Sequence, residues 1–184
     1  MTQKHYAQNG TFHITTNTKG KLSWLTESGV PEILIDNLFM TRNVQSAEIF
    51  AFCILPNHMH ILMRPGEKGL SDFMHSFKRN SSKDVRCYLR DRSGKRTRAA
   101  VYEYVPHRSR GSFTPAVNIG WQNGFHDERI RDADQRSNAL SYIKYNAAKH
   151  HIVDDIDHWP WSSHHFKHLL DPMEIWFDSP YDPS

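Results

Sequence analysis

Cysteine is scarce in this chain, and no long apolar run occurs in it. The two cysteines, Cys53 and Cys87, are too few for a disulfide-stapled secreted scaffold. Cys53 lies in the apolar run of residues 50–55 and reads as a core side chain. No stretch approaches the ~20 apolar residues that a membrane-spanning helix needs. Lys4, His5 and Gln8 interrupt any signal-peptide core at the start. A cytoplasmic protein is therefore expected, with no membrane partner. Internal repeats and low-complexity segments are also missing, and 184 residues leave no room for two full domains with a linker. The expectation is one domain over residues 1–166 followed by a tail over residues 167–184.

What is present is aromatic and unevenly charged. Five Trp and ten Phe supply a core although the hydrophobic share is only 38%. The formal net charge of +3 is weak evidence for any partner, but its distribution says more. Residues 78–110 carry eleven Lys and Arg against three acids, Asp84, Asp91 and Glu103, which leaves the rest of the chain net acidic. Such a block is the footprint of a phosphate-backbone binder; its ordinary reading, set beside this, is a solvated basic helix and loop. Lys78, Arg79, Lys83, Arg92, Lys95, Arg96 and Arg98 are the DNA-binding candidates.

Local patterns give an order of elements. Residues 11–17 are rich in β-branched side chains and predict a strand. Residues 18–23 form a loop. Pro31 belongs in the first turn of a helix whose apolar stripe runs through Leu34, Leu38 and Val44, with Ile33 and Phe39 nearby. Residues 48–55 and 58–63 are two strands broken at Pro56-Asn57 and paired as a hairpin. A second helix opens at Ser71-Asp72 with Phe73, Phe77 and Val85 inside. A long basic loop follows over about residues 92–120, with a short strand at residues 99–105. Residues 125–130 are the last strand, and Asp132 caps a helix reaching His150 with Leu140, Ile143 and Ala147 on one side. An irregular tail begins after Asp157. The order predicts an α+β fold: a ferredoxin-like antiparallel sheet with helices on one face, plus an extra C-terminal helix.

Two clusters carry chemistry. His58 and His60 are two apart on a strand, so both face one side while Met59 faces the other, and imidazole is the commonest ligand for divalent metals. In a chain with thirteen His a chance H-x-H is easy. His150-His151 and His164-His165 read as surface or cap histidines. The second cluster is Tyr142, Asn146 and Lys149, whose spacings of four and three share one helical face. A phenol with a pKa near ~10 is a poor nucleophile unaided. A metal that polarises a phosphate and a nearby Lys149 would supply that help. An amphipathic core tyrosine is the usual alternative. Tyr145 lies near the same face, and periodicity leaves it as a rival nucleophile.

These residues carry a family resemblance. The run Leu55-Pro56-Asn57-His58-Met59-His60-Ile61-Leu62 resembles the histidine–hydrophobic–histidine (HUH) motif of the single-tyrosine transposases. Trp121-Gln122, Phe125 and Ile130-Arg131, then Tyr142-Ile143 through Asn146 and Lys149, resemble their downstream block. Trp159-Pro160-Trp161-Ser162-Ser163 resembles the closing motif of the REP-associated branch, which acts on repetitive extragenic palindromes. Leu70 to Met74 and Phe77-Lys78 fit the second helix, so the resemblance spans residues 48–166. Two departures stand out: Ala147 follows Asn146 where the family has Pro, and the segment of residues 92–120 is long.

The resemblance implies a division of labour. His58, His60 and Asn146 hold Mg²⁺ or Mn²⁺, and Tyr142 attacks the phosphate to give a 5′-phosphotyrosine and a free 3′-hydroxyl. The tyrosine helix is thus the catalytic one, and Tyr142 is favoured over Tyr145 because it aligns with the family's Tyr-Ile. The partner implied is single-stranded, hairpin-bearing DNA of the REP type, with no organic cofactor. A monomer is favoured over a dimer that exchanges tyrosine helices. Two other readings compete with this transesterase: a metal-dependent nuclease in which water attacks, and a non-catalytic DNA-binding regulator that kept the fold.

Overall fold

The computed structural model describes residues 10–92, 105–107, 112–114 and 119–173. A four-stranded antiparallel sheet is its centre, in the order β2-β3-β1-β6. The strands are β1 (Thr11–Asn17), β2 (Glu48–Ile54), β3 (His58–Arg64) and β6 (His126–Ile130). Two helices, α1 (Val30–Gln45) and α2 (Gly69–Arg92), pack together on one face; α3 (Ala133–Lys149) packs against β2 and β3 on the other. A separate short hairpin joins β4 (Val105–His107) to β5 (Ser112–Thr114). The expected strand–helix–strand–strand–helix–strand order with an appended helix is thus observed, on a mixed α+β frame.

The strand period of two sorts side chains between the two faces. Phe12, Ile14, Met59, Ile61 and Met63 join the core under α1 and α2. Leu62 and Ile130 join the second core with Ala139, Ile143 and Ala147 of α3. On β2 the register slips between Ile49 and Ala51, and consecutive Phe50 and Ala51 both belong to the α3-side core. That irregularity restores alternation for Phe52 and Ile54 on the other side.

Helix α1 begins after Gly29, whose φ of 82° is left-handed. A Cβ there would stand 2.1 Å from the Tyr88 hydroxyl oxygen, so both backbone and space demand glycine. Pro31 does sit in the first turn. The expected stripe is corrected at its end: Leu34 and Leu38 are buried but Val44 is 69% exposed. Steps of four and seven from Leu34 reach Leu38 and Thr41, then Gln45; Val44 lies off that line. Gln45 fills the position and donates from Nε2 to the Asp72 carbonyl (3.3 Å) and the Ser76 hydroxyl (3.0 Å).

Helix α2 starts at Gly69, two residues before the expected opening, and buries Phe73, Phe77 and Val85 as expected. The expected strand at residues 99–105 overlaps the described residues only at Val105, where β4 begins; residues 99–104 lie outside them. Cys53 is fully buried, and that burial pushes its thiol up to about 12.

The segment after α3 is held to the sheet. Ile54 N donates to the Trp161 carbonyl (2.9 Å) and Ser162 bridges Cys53. Asp171 N donates to the Ile49 carbonyl (2.9 Å), while the Asp171 carboxylate accepts from Ile49 N (2.8 Å) and pairs with Arg42 (3.2 Å). These contacts occupy the open edge of β2. Asp171 lies in the segment of residues 167–184 expected as the tail. Among the described residues no helix is long and apolar enough to cross a membrane.

Candidate active site

The β2–β3 turn places the first histidine. Leu55 N donates to the His58 carbonyl (2.9 Å), closing the turn, and the end of β1 clamps it: Thr18 N (2.9 Å) and Thr18 Oγ1 (3.0 Å) both donate to the Asn57 carbonyl. Leu25 N donates to the Pro56 carbonyl (3.1 Å). His58 and His60 therefore project from a fixed strand start, with ring centroids 5.1 Å apart. Met59 is buried in the opposite core.

Hydrogen bonds orient both rings. His58 Nδ1 lies 2.7 Å from Asn57 Oδ1. An amide oxygen only accepts, so the His58 proton sits on Nδ1 and Nε2 keeps its lone pair. His60 Nδ1 lies 3.0 Å from Thr15 Oγ1 and 3.2 Å from His13 Nε2. His60 Nε2 is buried with no hydrogen-bond partner among the described residues. Burial pushes His58 down to about 4, reinforced by His150 and Lys21, and pushes His60 down to about 3, reinforced by His58 and His13. Burial also lowers His13, against the opposing pull of Glu128. Uncharged imidazoles with bare nitrogens are the ligand form of histidine.

Helix α3 brings the tyrosine. Asp132 accepts from Gln135 N (2.8 Å) while Gln135 Oε1 accepts from Arg131 N (2.9 Å), fixing the first turn. Ile143 and Ala147 anchor the helix in the core, and Tyr142 stands beside them over the histidines. Its ring lies 5.1 Å from that of His60 and 5.6 Å from that of His13, both edge-on. Lys149 Nζ stands 4.4 Å from the Tyr142 ring centroid. Tyr145 is 51% exposed and its ring meets Lys144 instead. Asn146, one turn from Tyr142, is fully buried, and neither its Oδ1 nor its Nδ2 finds a partner among the described residues.

His13, Thr15, His60 and Tyr142, with His126 and Glu128 of β6, line a cleft of about 380 Å³. His13, Thr15, His126 and Glu128 went unnoticed in the sequence. The register explains why: His13 faces Leu62 and Glu128, and Thr15 faces His60 and His126, across two ladders. Only the even spacing of His13 and Thr15 within a β-branched run hinted at a shared face. His150 is exposed and caps the helix, its N–H on the Asn146 carbonyl, as expected; its ring contact with His58 at 5.3 Å is additional.

Among the described residues no three His, Cys, Asp or Glu stand together as a metal site. His58 and His60 offer two nitrogens, and the buried, unpartnered amide of Asn146 is of the right chemistry for a third, neutral ligand. The residues thus fit a divalent ion.

Of the basic candidates, Lys78, Arg79 and Lys83 have described side chains. Lys78 is turned inward, donating to the Gln122 carbonyl (2.9 Å) and the Gly124 carbonyl, and burial pushes it down to about 8. Arg79 and Lys83 are exposed on α2. Arg92 ends that helix, and Lys95, Arg96 and Arg98 lie outside the described residues.

Comparison with known proteins agrees with this geometry. The family model described as IS200-like transposase matches residues 6–105. A Haemophilus influenzae chain named for the REP-associated tyrosine transposases is 31% identical over 164 residues, covering 80% of this chain and 82% of its own. The REP-associated tyrosine transposase of Escherichia coli K12 is 23% identical over 165 residues, covering 89% of this chain and 81% of its own. A solved REP-associated tyrosine transposase bound to a REP hairpin shares the fold, at TM-score 0.63 and 21% identity over 100% of this chain and 93% of that one. This chain belongs to the IS200-like transposases, DNA-cleaving enzymes, and within them to the REP-associated tyrosine transposases.

Proposed function

We propose that this transposase cuts and rejoins hairpin-bearing single-stranded DNA with Tyr142 as the nucleophile. The observation that carries the reading is the meeting of Tyr142 with His60, ring to ring at 5.1 Å, beneath the Lys149 ammonium. The Tyr142 Oη–phosphorus bond forms as the bond to the 3′-oxygen breaks in line. The phenol loses its proton and the departing 3′-oxygen gains one. The product is a 5′-phosphotyrosine with a free 3′-hydroxyl, and a 3′-hydroxyl reverses the step to rejoin DNA without ATP. Lys149 supplies positive charge beside the phenol, where the attacking oxygen is most negative.

His58, His60 and Asn146 would hold Mg²⁺ or Mn²⁺. Such an ion supplies Lewis-acid polarisation of the phosphate. Asn57 and Thr15 orient the two imidazoles, and His13 and Tyr142 wall the cleft beside His60. The hairpin is carried over from the solved relative, which is bound to a REP hairpin.

Labelled hairpin oligonucleotides on a denaturing gel test the proposal. Tyr142→Phe is expected to lose the covalent adduct entirely while hairpin affinity stays within about twofold. Tyr145→Phe should keep the adduct, and EDTA should abolish it until Mg²⁺ or Mn²⁺ is restored. Cleavage by the wild type with no adduct would mean that water attacks; an adduct surviving in Tyr142→Phe would hand the role to another residue.

A further inference from the structure

The site has a direction. Tyr142 stands over His13 and His60, and at the end of α3 the His150 ring meets His58. Strand β1 runs the same way, with Thr15 opposite His60 and Asn17 opposite His58. Just past Asn17 the chain makes a short helical turn, Lys19–Lys21. An axis therefore leads from Tyr142 across His60 to His58 and on to this turn.

The turn is tied in place and bears an uncommitted charge. Lys21 N donates to the Thr18 carbonyl (3.1 Å) and Lys19 N to the Gly120 carbonyl (2.8 Å). Thr18 in turn holds the Asn57 carbonyl beside His58. Lys21 has a left-handed backbone, with φ of 55°. That conformation is unfavourable for a side chain with a Cβ and persists because the surrounding bonds impose it. The Lys21 side chain is exposed, and no hydrogen bond or ion pair among the described residues engages its ammonium. Its charge still reaches the site: after burial and His150, it helps to lower His58.

In-line displacement gives the axis its meaning, because the attacking and leaving oxygens lie on opposite sides of the phosphorus. With Tyr142 on one side of a phosphate at the histidines, the 3′-oxygen departs on the other, toward His58 and Lys21. The Lys149 ammonium is at the Tyr142 ring, 4.4 Å from its centroid, and so accompanies the attacking oxygen instead.

We propose that Lys21 is a catalytic residue of the cleavage step, its ammonium meeting the departing 3′-oxygen and stabilising the negative charge that builds there. The Tyr142 Oη–phosphorus bond forms, and the phosphorus–3′-oxygen bond breaks with its electron pair on that oxygen. Water takes up the phenol's proton and supplies the one that completes the 3′-hydroxyl. Lys21 stays charged throughout. The inference rests on the Tyr142 reading above and assigns the opposite end of the same reaction.

A bridging sulfur in place of the scissile 3′-oxygen tests it, because a thiolate departs without the help that an alkoxide needs. Adduct and released 3′ end are followed in single turnovers at saturating hairpin DNA, with either linkage. Lys21→Ala should react at least about tenfold more slowly than wild type on the oxygen DNA, and within about twofold of wild type on the sulfur DNA. Each comparison is made on one DNA, so any difference between the linkages themselves cancels. Lys21→Arg keeps the charge and should recover most of the rate on oxygen. Lys19→Ala, in the same turn, should stay within about twofold of wild type on both DNAs. A Lys21→Ala rate equal to wild type on oxygen, or a loss of the same size on both DNAs, overturns the proposal. So does an equal loss in Lys19→Ala. Lys21→Gly relaxes the left-handed backbone and should be as slow as Lys21→Ala on oxygen; a Lys21→Gly at the wild-type rate would also overturn it. The Tyr142 reading fails separately. A wild type that releases the 3′ end without an adduct removes the tyrosine as nucleophile, while a Lys21→Ala loss confined to the oxygen DNA would still mark Lys21 at the leaving oxygen.

Discussion

Asn57 and Thr15 settle how the two histidines of the motif present themselves. Each lies within hydrogen-bonding distance of an Nδ1, so each ring turns its other nitrogen into the site. Holding these rings neutral has a consequence for stability. Their folded values of about 4 and about 3 lie below the ordinary 6.5, so as pH falls the unfolded chain takes up these protons first. The stability they confer is whole above pH 6.5 and drains away as pH falls toward about 3. A thermal melt should therefore drop across that window in the wild type and drop less in a His58→Gln, His60→Gln double variant. Carboxylates titrate in both proteins, so the difference between the two curves is what counts. Parallel curves would show that the histidines carry no such linkage.

At the level of elements, the tyrosine helix shows how a local signal supports a distant function. Asp132 was visible in the sequence as a cap, and it accepts from Gln135 N at 2.8 Å. Asp132→Ala should cost about 1 kcal/mol in denaturant unfolding. It should also slow adduct formation more than it weakens hairpin binding, because fraying starts within three turns of Tyr142. An unchanged midpoint would mean that packing of Ile143 and Ala147 alone holds the helix. Other features at this scale escaped local reading. The slip of β2 between Ile49 and Ala51 arises from its pairing with β3, and the burial of Gln45 arises from α2. Neither partner is near in sequence, so periodicity extended the α1 stripe to Val44 instead.

The whole molecule divides its labour between the two sides of one sheet, with α1 and α2 on one face and the tyrosine helix on the other. Among the described residues of the basic block 78–110, part of the charge is turned to internal use. Lys78 is committed to two loop carbonyls, and Arg86 donates to the Ile119 carbonyl (3.0 Å), so some of its charge is structural. The remainder should still register in solution. Replacing Arg92, Lys95, Arg96 and Arg98 together by Gln should flatten the logarithmic salt dependence of binding by about 0.7 per lost phosphate contact on single strands. Cleavage at saturating DNA should persist. An unaltered slope would place DNA binding elsewhere, with the exposed Arg79 and Lys83 of α2 as the first candidates.

The sequence by itself determined the elements, the helix cap, the buried cysteine, the histidine pair and the helical face of the tyrosine. All of these are short-range: a period of two or 3.6, a cap three residues from its partner, a motif eight residues long. Only the tertiary structure decided that Tyr142 rather than Tyr145 faces the histidines, and that His13, Thr15, His126 and Glu128 join them. It also docked Trp161, Ser162 and Asp171 along β2 and set the Lys19–Lys21 turn past His58. Those outcomes depend on register. Thr15 meets His60 across 45 residues and Thr15 meets His126 on its other side. Such pairings are set by burying both faces of the sheet at once, a condition that no stretch of chain satisfies alone.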